Sequence, residues 1–105
     1  GLHSTGVERM VTQGEIGSFL HVLTPAEVNH LQKLAEKSRL KIPLLIGIDA
    51  IHGNGLVSGS TIYPSPIGMA STFAPDLIEQ ASRQTALEMR VTGSHWAFTP
   101  NIEIA

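Results

Sequence analysis

A chain of 105 residues with 42% hydrophobic and 15% charged side chains has the make-up of one globular unit, or a piece of one, with a modest core. Its formal charge of -2, with lysine and arginine scattered singly, offers no basic stripe to neutralise phosphates, so nucleic acid is not an expected partner. Cysteine is absent, which excludes disulfides, thiolate chemistry and cysteine-ligated zinc; the longest apolar run, residues 43–48, is far below the roughly 20 residues that cross a bilayer.

The first eleven residues have weak periodicity and predict no firm element; nor do they carry the basic and apolar pattern of a secretory leader, which leaves the compartment open. Residues 16–22 form a short apolar run that predicts a buried strand. Thr24-Pro25-Ala26-Glu27 then combines an N-cap threonine, a proline at the first helical position and a glutamate three residues after the cap, a strong helix start. Val28, Leu31, Leu34 and Ala35 share one face of the helix predicted over residues 25–39, which must end before Pro43.

Residues 44–49 predict a second strand, apolar on both faces as where helices cover both sides of a parallel sheet. The glycine, serine and proline-rich segment 52–73 reads as a loop, longer than the usual connection and of the size that is commonly functional. A helix is predicted over 75–91, with Leu77, Ile78, Ala81, Thr85 and Met89 on one face and Gly93 placed to stop it, and residues 96–99 predict a third strand. Strand, helix, strand, helix, strand implies an α/β fold with parallel strands and right-handed crossovers.

In parallel α/β architectures, ligands bind at the carboxyl ends of the strands. Asp49 stands at such an end, where the apolar run stops. A carboxylate there needs donors, and sugar hydroxyls, an arginine or backbone N–H groups all serve; capping the next turn is the purely structural alternative. His52, three residues on, is open to substrate contact or metal ligation, but a lone histidine beside Ile51 more often bonds the backbone and supports a loop. His3, His21, His30 and His95 show no metal-ligand spacing, so no metal is expected. A serine elbow, a phosphate loop and a dinucleotide glycine fingerprint are all missing, so neither cofactor nor nucleotide is expected, and Gly53, Asn54, Gly55 and Gly59 read as turn residues.

Four spaced motifs add what spacing alone does not. Ile42-Pro43-Leu44-Leu45 followed by Gly47-Ile48-Asp49-Ala50-Ile51-His52-Gly53 resembles the second strand and "G-I/L-D-x-x-H-G" signature of family 3 glycoside hydrolases, the class of bacterial and plant β-glucosidases. Thr61-Ile62-Tyr63-Pro64 with Pro66-Ile67-Gly68 is similar to the family's "T-x-F-P-x-P-x-G" loop, Thr85-Ala86-Leu87-Glu88 to its "T-A-x-E" helix, and Phe98-Thr99-Pro100 to its third strand. Ala74-Pro75, where the family often has Asp-Pro, lacks a helix cap worth about 1 kcal/mol; Glu103 replaces a common aspartate.

The resemblance implies that residues 1–105 are the first part of a TIM (β/α)8 barrel, which needs eight strands and about 250 residues. It further implies a retaining hydrolase of β-D-glucosidic or related bonds, bacterial members often being periplasmic or secreted. The aspartate nucleophile and glutamate acid/base of the family match nothing in this segment, so no catalytic residue is expected here and the segment alone is expected to be inactive. Asp49 is implied as a substrate-binding carboxylate, with His52 as loop support. The expected partners are a β-glucoside or oligosaccharide and the remainder of the enzyme chain, with no nucleic acid or membrane, and with self-association through unpaired edges if isolated. Trp96, Phe19 and Phe98 are expected to pack in the core rather than stack on sugar, and Tyr63 to pack within its loop. The rival expectation is a small stand-alone α/β binding module.

Overall fold

A computed structural model describes residues 5–99, ordered as α1 (Thr5–Thr12), β1 (Ser18–Leu20), α2 (Pro25–Glu36), β2 (Leu45–Ile48), α3 (Pro66–Ala70), α4 (Pro75–Thr92) and β3 (Trp96–Ala97). The strands are parallel in the order β1-β2-β3, so β2 has a strand on each side. Ser18, Phe19 and Leu20 pair with Leu45, Ile46 and Gly47, while Gly47 and Ile48 pair with Trp96 and Ala97. The α/β alternation with parallel strands is the one expected from the sequence, and it matches the opening of a (β/α)8 barrel.

Local chemistry sets the helix ends. The Thr24 hydroxyl accepts the Glu27 N–H at 3.2 Å, ahead of Pro25. Helix α2 stops at Glu36, earlier than the predicted 39, because the Ser38 hydroxyl donates to the Ala35 carbonyl at 2.7 Å and accepts the Lys41 N–H at 3.1 Å. The Gln32 amide then ties α2 to the chain entering β2, donating to the Leu44 carbonyl at 2.9 Å and accepting its N–H at 2.8 Å. Gly93 ends α4 with φ +98°, and a Cβ there would lie 2.5 Å from Val28 Cγ1, so both conformation and space require glycine. Ala74, at the N-cap of α4, makes no side-chain cap.

Two helices lie where none was predicted. In α1, Val11 is buried against α2, and the Glu8 carboxylate meets His30 Nε2 at 2.9 Å. The other, α3, interrupts the long loop: Ser65 caps it by accepting the Gly68 N–H at 3.2 Å, with Pro66 at its first position. Strands β1 and β3 are shorter than predicted. Strand β1 ends because His21 turns left-handed, with φ +56°.

Alternation along the strands sorts side chains onto two faces. Phe19, Ile46, Ile48 and Ala97 face the helices, forming two clusters, one with Val11, Val22, Val28, Leu31 and Ala35, the other with Ala50, Val57 and Met89. On the opposite face, Leu20 is 59% exposed, Leu45 43% and Trp96 50%. Helices therefore cover one face among the described residues, not the two expected from the apolar run of β2. Trp96 accordingly lies half-exposed rather than in the core, its ring edge-on to Phe98 at a centroid distance of 4.8 Å.

Candidate functional site

Asp49 follows β2 directly, at its carboxyl end, and its side chain is 47% exposed. The next strand over delivers His21 to the same place: Nε2 lies 3.1 Å from Asp49 Oδ2 and 3.3 Å from the Asp49 backbone nitrogen. The His21 N–H continues the β1–β2 ladder by donating to the Gly47 carbonyl at 2.8 Å, so the imidazole is anchored from its own main chain. In the sequence His21 has no metal-ligand spacing and nothing nearby that marks it. The signal that finds it is register: residues that leave neighbouring parallel strands at their carboxyl ends become neighbours.

Asp49 and His21 line a cavity of about 470 Å³ together with His52, the apolar Ile51, Leu56 and Ile62, and Gly53 and Gly55. That volume lies within the range of small-molecule sites, and the lining has their usual composition, apolar walls with a few convergent polar groups. Of the apolar lining residues, Leu56 is 46% exposed and Ile62 71%.

The loop beyond Asp49 is held in four places. His52 exchanges two bonds with Tyr63: its Nδ1 donates to the Tyr63 carbonyl at 3.3 Å, and the Tyr63 N–H donates to the His52 carbonyl at 2.9 Å. Gly53, at φ +78°, fits under that crossing, where a Cβ would lie 2.5 Å from the Thr61 carbonyl oxygen and 2.8 Å from the Tyr63 ring. Asn54, fully buried, donates to the Thr92 hydroxyl at 3.1 Å at the end of α4. Thr61 gives both its N–H and its hydroxyl to the Glu88 carboxylate, at 3.1 and 3.0 Å. Desolvation pushes the Glu88 carboxyl up, but the bonds from the Thr61 hydroxyl, the Thr61 N–H and Gln84 outweigh it and hold the group below its ordinary value. Two of the spaced motifs thus meet as one clamp, Thr61 on the loop and Glu88 on the helix.

The remaining histidines serve the scaffold. His95 Nδ1 accepts the Ile46 N–H at 3.3 Å while the His95 N–H donates to the Ile46 carbonyl at 2.8 Å. Burial, with the Arg90 guanidinium adding to it, holds the ring below its ordinary value, as an accepting nitrogen requires. His3 and Glu103 lie outside the described residues. Among the described residues no group of three or more histidine, aspartate or glutamate side chains could hold a metal ion, and no helix is long and apolar enough to cross a membrane.

In parallel (β/α)8 architectures the active site lies at the carboxyl ends of the strands, where Asp49 and His21 stand. Residues 4–105 match the N-terminal domain of glycosyl hydrolase family 3, and the chain belongs to that family. It is 27% identical over 100 residues to a periplasmic beta-glucosidase of Salmonella typhimurium, covering 94% of this chain and 12% of that protein. Over 98 residues it is 32% identical to a lysosomal beta glucosidase of Dictyostelium discoideum, covering 90% of this chain and 12% of the relative. A beta-xylosidase of Formosa agariphila is 35% identical over 77 residues, 70% of this chain and 11% of its own. A solved structure of a beta-glucosidase involved in saponin metabolism from intestinal bacteria superposes with a TM-score of 0.79 at 43% identity, over 90% of this chain and 12% of that one. The chain thus spans about one eighth of the length of these relatives.

Proposed function

We propose that this chain is the opening part of the barrel of a retaining glycoside hydrolase acting on terminal β-D-glucosidic or closely related β-glycosidic bonds. In this reading Asp49 grips sugar hydroxyls beside the scissile bond, because a charged acceptor binds a neutral hydroxyl more strongly than an uncharged one does. The observation that carries it is the exposed Asp49 carboxylate at the end of β2, opening on the 470 Å³ cavity. His52 supports it by tying the following loop to Tyr63.

The two carboxyl groups of a retaining mechanism, about 5 to 5.5 Å apart, come from elsewhere in the enzyme. Asp49 contributes binding that tightens as the sugar distorts toward the transition state. The short share of the relatives' length covered by this chain supports that division of labour. The open sheet face weighs against a stand-alone binding module, which would have to cover Leu20, Leu45 and Trp96 itself.

The test is kinetic, in the full-length enzyme that carries this segment. On an aryl β-D-glucoside or β-D-xyloside, Asp49→Ala is expected to lower kcat/KM by 100-fold or more, about 2.7 kcal/mol of transition-state binding. A loss within twofold on both substrates would remove Asp49 from the sugar site.

A further inference from the structure

We propose that His21 is a positioning residue for Asp49: its Nε2–H donates to Oδ2 and fixes the carboxylate so that Oδ1 faces the ligand. The inference rests on the sugar-binding reading of Asp49 above and adds a second residue to it.

The geometry chooses the proton's place. At 3.1 Å, a bare Nε2 lone pair would face a carboxylate lone pair, which is repulsive, so the nitrogen nearest Oδ2 carries hydrogen. The Asp49 N–H, 3.3 Å from the same nitrogen, would need that lone pair free, so the two bonds exclude each other and the charge-assisted one is the stronger. Oδ1 has no hydrogen-bond partner among the described residues.

The backbone is shaped for this contact. Simple alternation along β1 would send His21 to the helix-covered face with Phe19, whereas Asp49 shares the open-face parity of Leu45 and Gly47. The left-handed turn at His21, φ +56°, breaks the alternation, and the ring reaches Asp49. Left-handed geometry is uncommon for a residue with a Cβ, but histidine takes it more readily than most, and Lys41 and Phe73 hold it away from the site, so it is the contact with Asp49 that distinguishes His21. Both side chains stay open to the cavity, His21 at 35% and Asp49 at 47% exposure, so the bond orients the carboxylate without hiding it.

Two substitutions separate shape from hydrogen bonding. His21→Phe keeps a ring and removes the donor, and His21→Gln places an amide N–H near the reach of Nε2; neither is branched at Cβ, and Phe73 of this chain holds a similar φ of +51°. In the full-length enzyme, with melting temperatures as a check on folding, His21→Phe is expected to lower kcat/KM about tenfold and His21→Gln to stay within about threefold of wild type. In an Asp49→Ala background His21→Phe should cost less than about threefold, because it acts through the carboxylate. Equal losses in Phe and Gln variants, or losses that multiply with Asp49→Ala, overturn the proposal. A His21→Phe enzyme like wild type beside a hundredfold loss in Asp49→Ala overturns it too, while leaving the sugar reading intact. An Asp49→Ala enzyme like wild type overturns the sugar reading and this inference with it.

Discussion

Gly53 shows how tightly one position can be specified. Its φ of +78° disfavours any side chain, and a Cβ would approach a backbone oxygen, which cannot swing aside as a side chain can. Gly53→Ala is therefore expected to destabilise the loop by about 1 to 3 kcal/mol and to lower kcat/KM, since the strained crossing carries His52 and borders the cavity. Gly59→Ala is the control: φ there is +88°, but nothing lies within 4 Å of the added Cβ, so only the conformational cost remains. Thermal unfolding of the two variants side by side checks this, and equal losses would show that the close approach to Thr61 contributes nothing. Both glycines were legible as turn residues in the sequence, while Gly55, read the same way, has no positive φ. Asp49 was legible from its place at the end of an apolar run. His21 was not, because its partner is 28 residues away and only the register of two strands brings them together.

Between elements, the Thr61–Glu88 clamp joins the site loop to α4 and makes that joint pH-dependent. Glu88 is held below its ordinary value near 4.5, so between the folded and unfolded values the unfolded chain binds more protons. The clamp's contribution is thus complete above that ordinary value and is lost as the pH falls through the folded one. The difference in melting temperature between wild type and Glu88→Gln should narrow as the pH is lowered from 6 to 3.5; a constant difference would show that the carboxylate's charge is not what holds the loop. At this scale the sequence spoke through caps. Thr24-Pro25 and Gly93 were readable because capping is local chemistry, satisfied within a few residues. The same logic reads α3 from Ser65-Pro66, a start hidden inside a segment whose glycines and prolines suggested loop throughout. In α1, Val7, Met10 and Val11 have helical spacing, but barely two turns, with Gly6 inside the first and Gly14 just past the end, give periodicity little to work with.

For the molecule as a whole, the uncovered sheet face dominates. The chain has a radius of gyration of 16.1 Å and extents of 50 × 26 × 23 Å, against about 13 Å for a compact chain of this length. Its accessible surface is 6973 Å², where a compact 11.2 kDa monomer would expose about 5,700 Å². Residues 1–105 produced alone are expected to bind an apolar dye, to elute ahead of a monomer in size exclusion and to release no nitrophenol from an aryl β-D-glucoside. A cooperatively unfolding, dye-free monomer would instead favour the stand-alone module. The parallel strand order followed from alternating helices and strands. Which faces would be covered did not, because the apolar run of β2 reads the same whether a helix or the far side of a barrel lies against it.

The sheet order β1-β2-β3 repeats the order in which a ribosome makes the strands. The strand that ends at Asp49 therefore has both hydrogen-bonding edges filled by residues between 18 and 97, with no later partner needed. The connections that close these pairings, residues 21–44 and 49–95, each contain a helix, and closure entropy grows only slowly with length, while N-terminal parts fold first during synthesis. What stays exposed to the rest of the cell in that interval is the Leu20, Leu45 and Trp96 face and the outer edges of β1 and β3. Exposed apolar faces and unpaired edges are templates for aggregation, whereas β2, which leads into Asp49, has neither edge open.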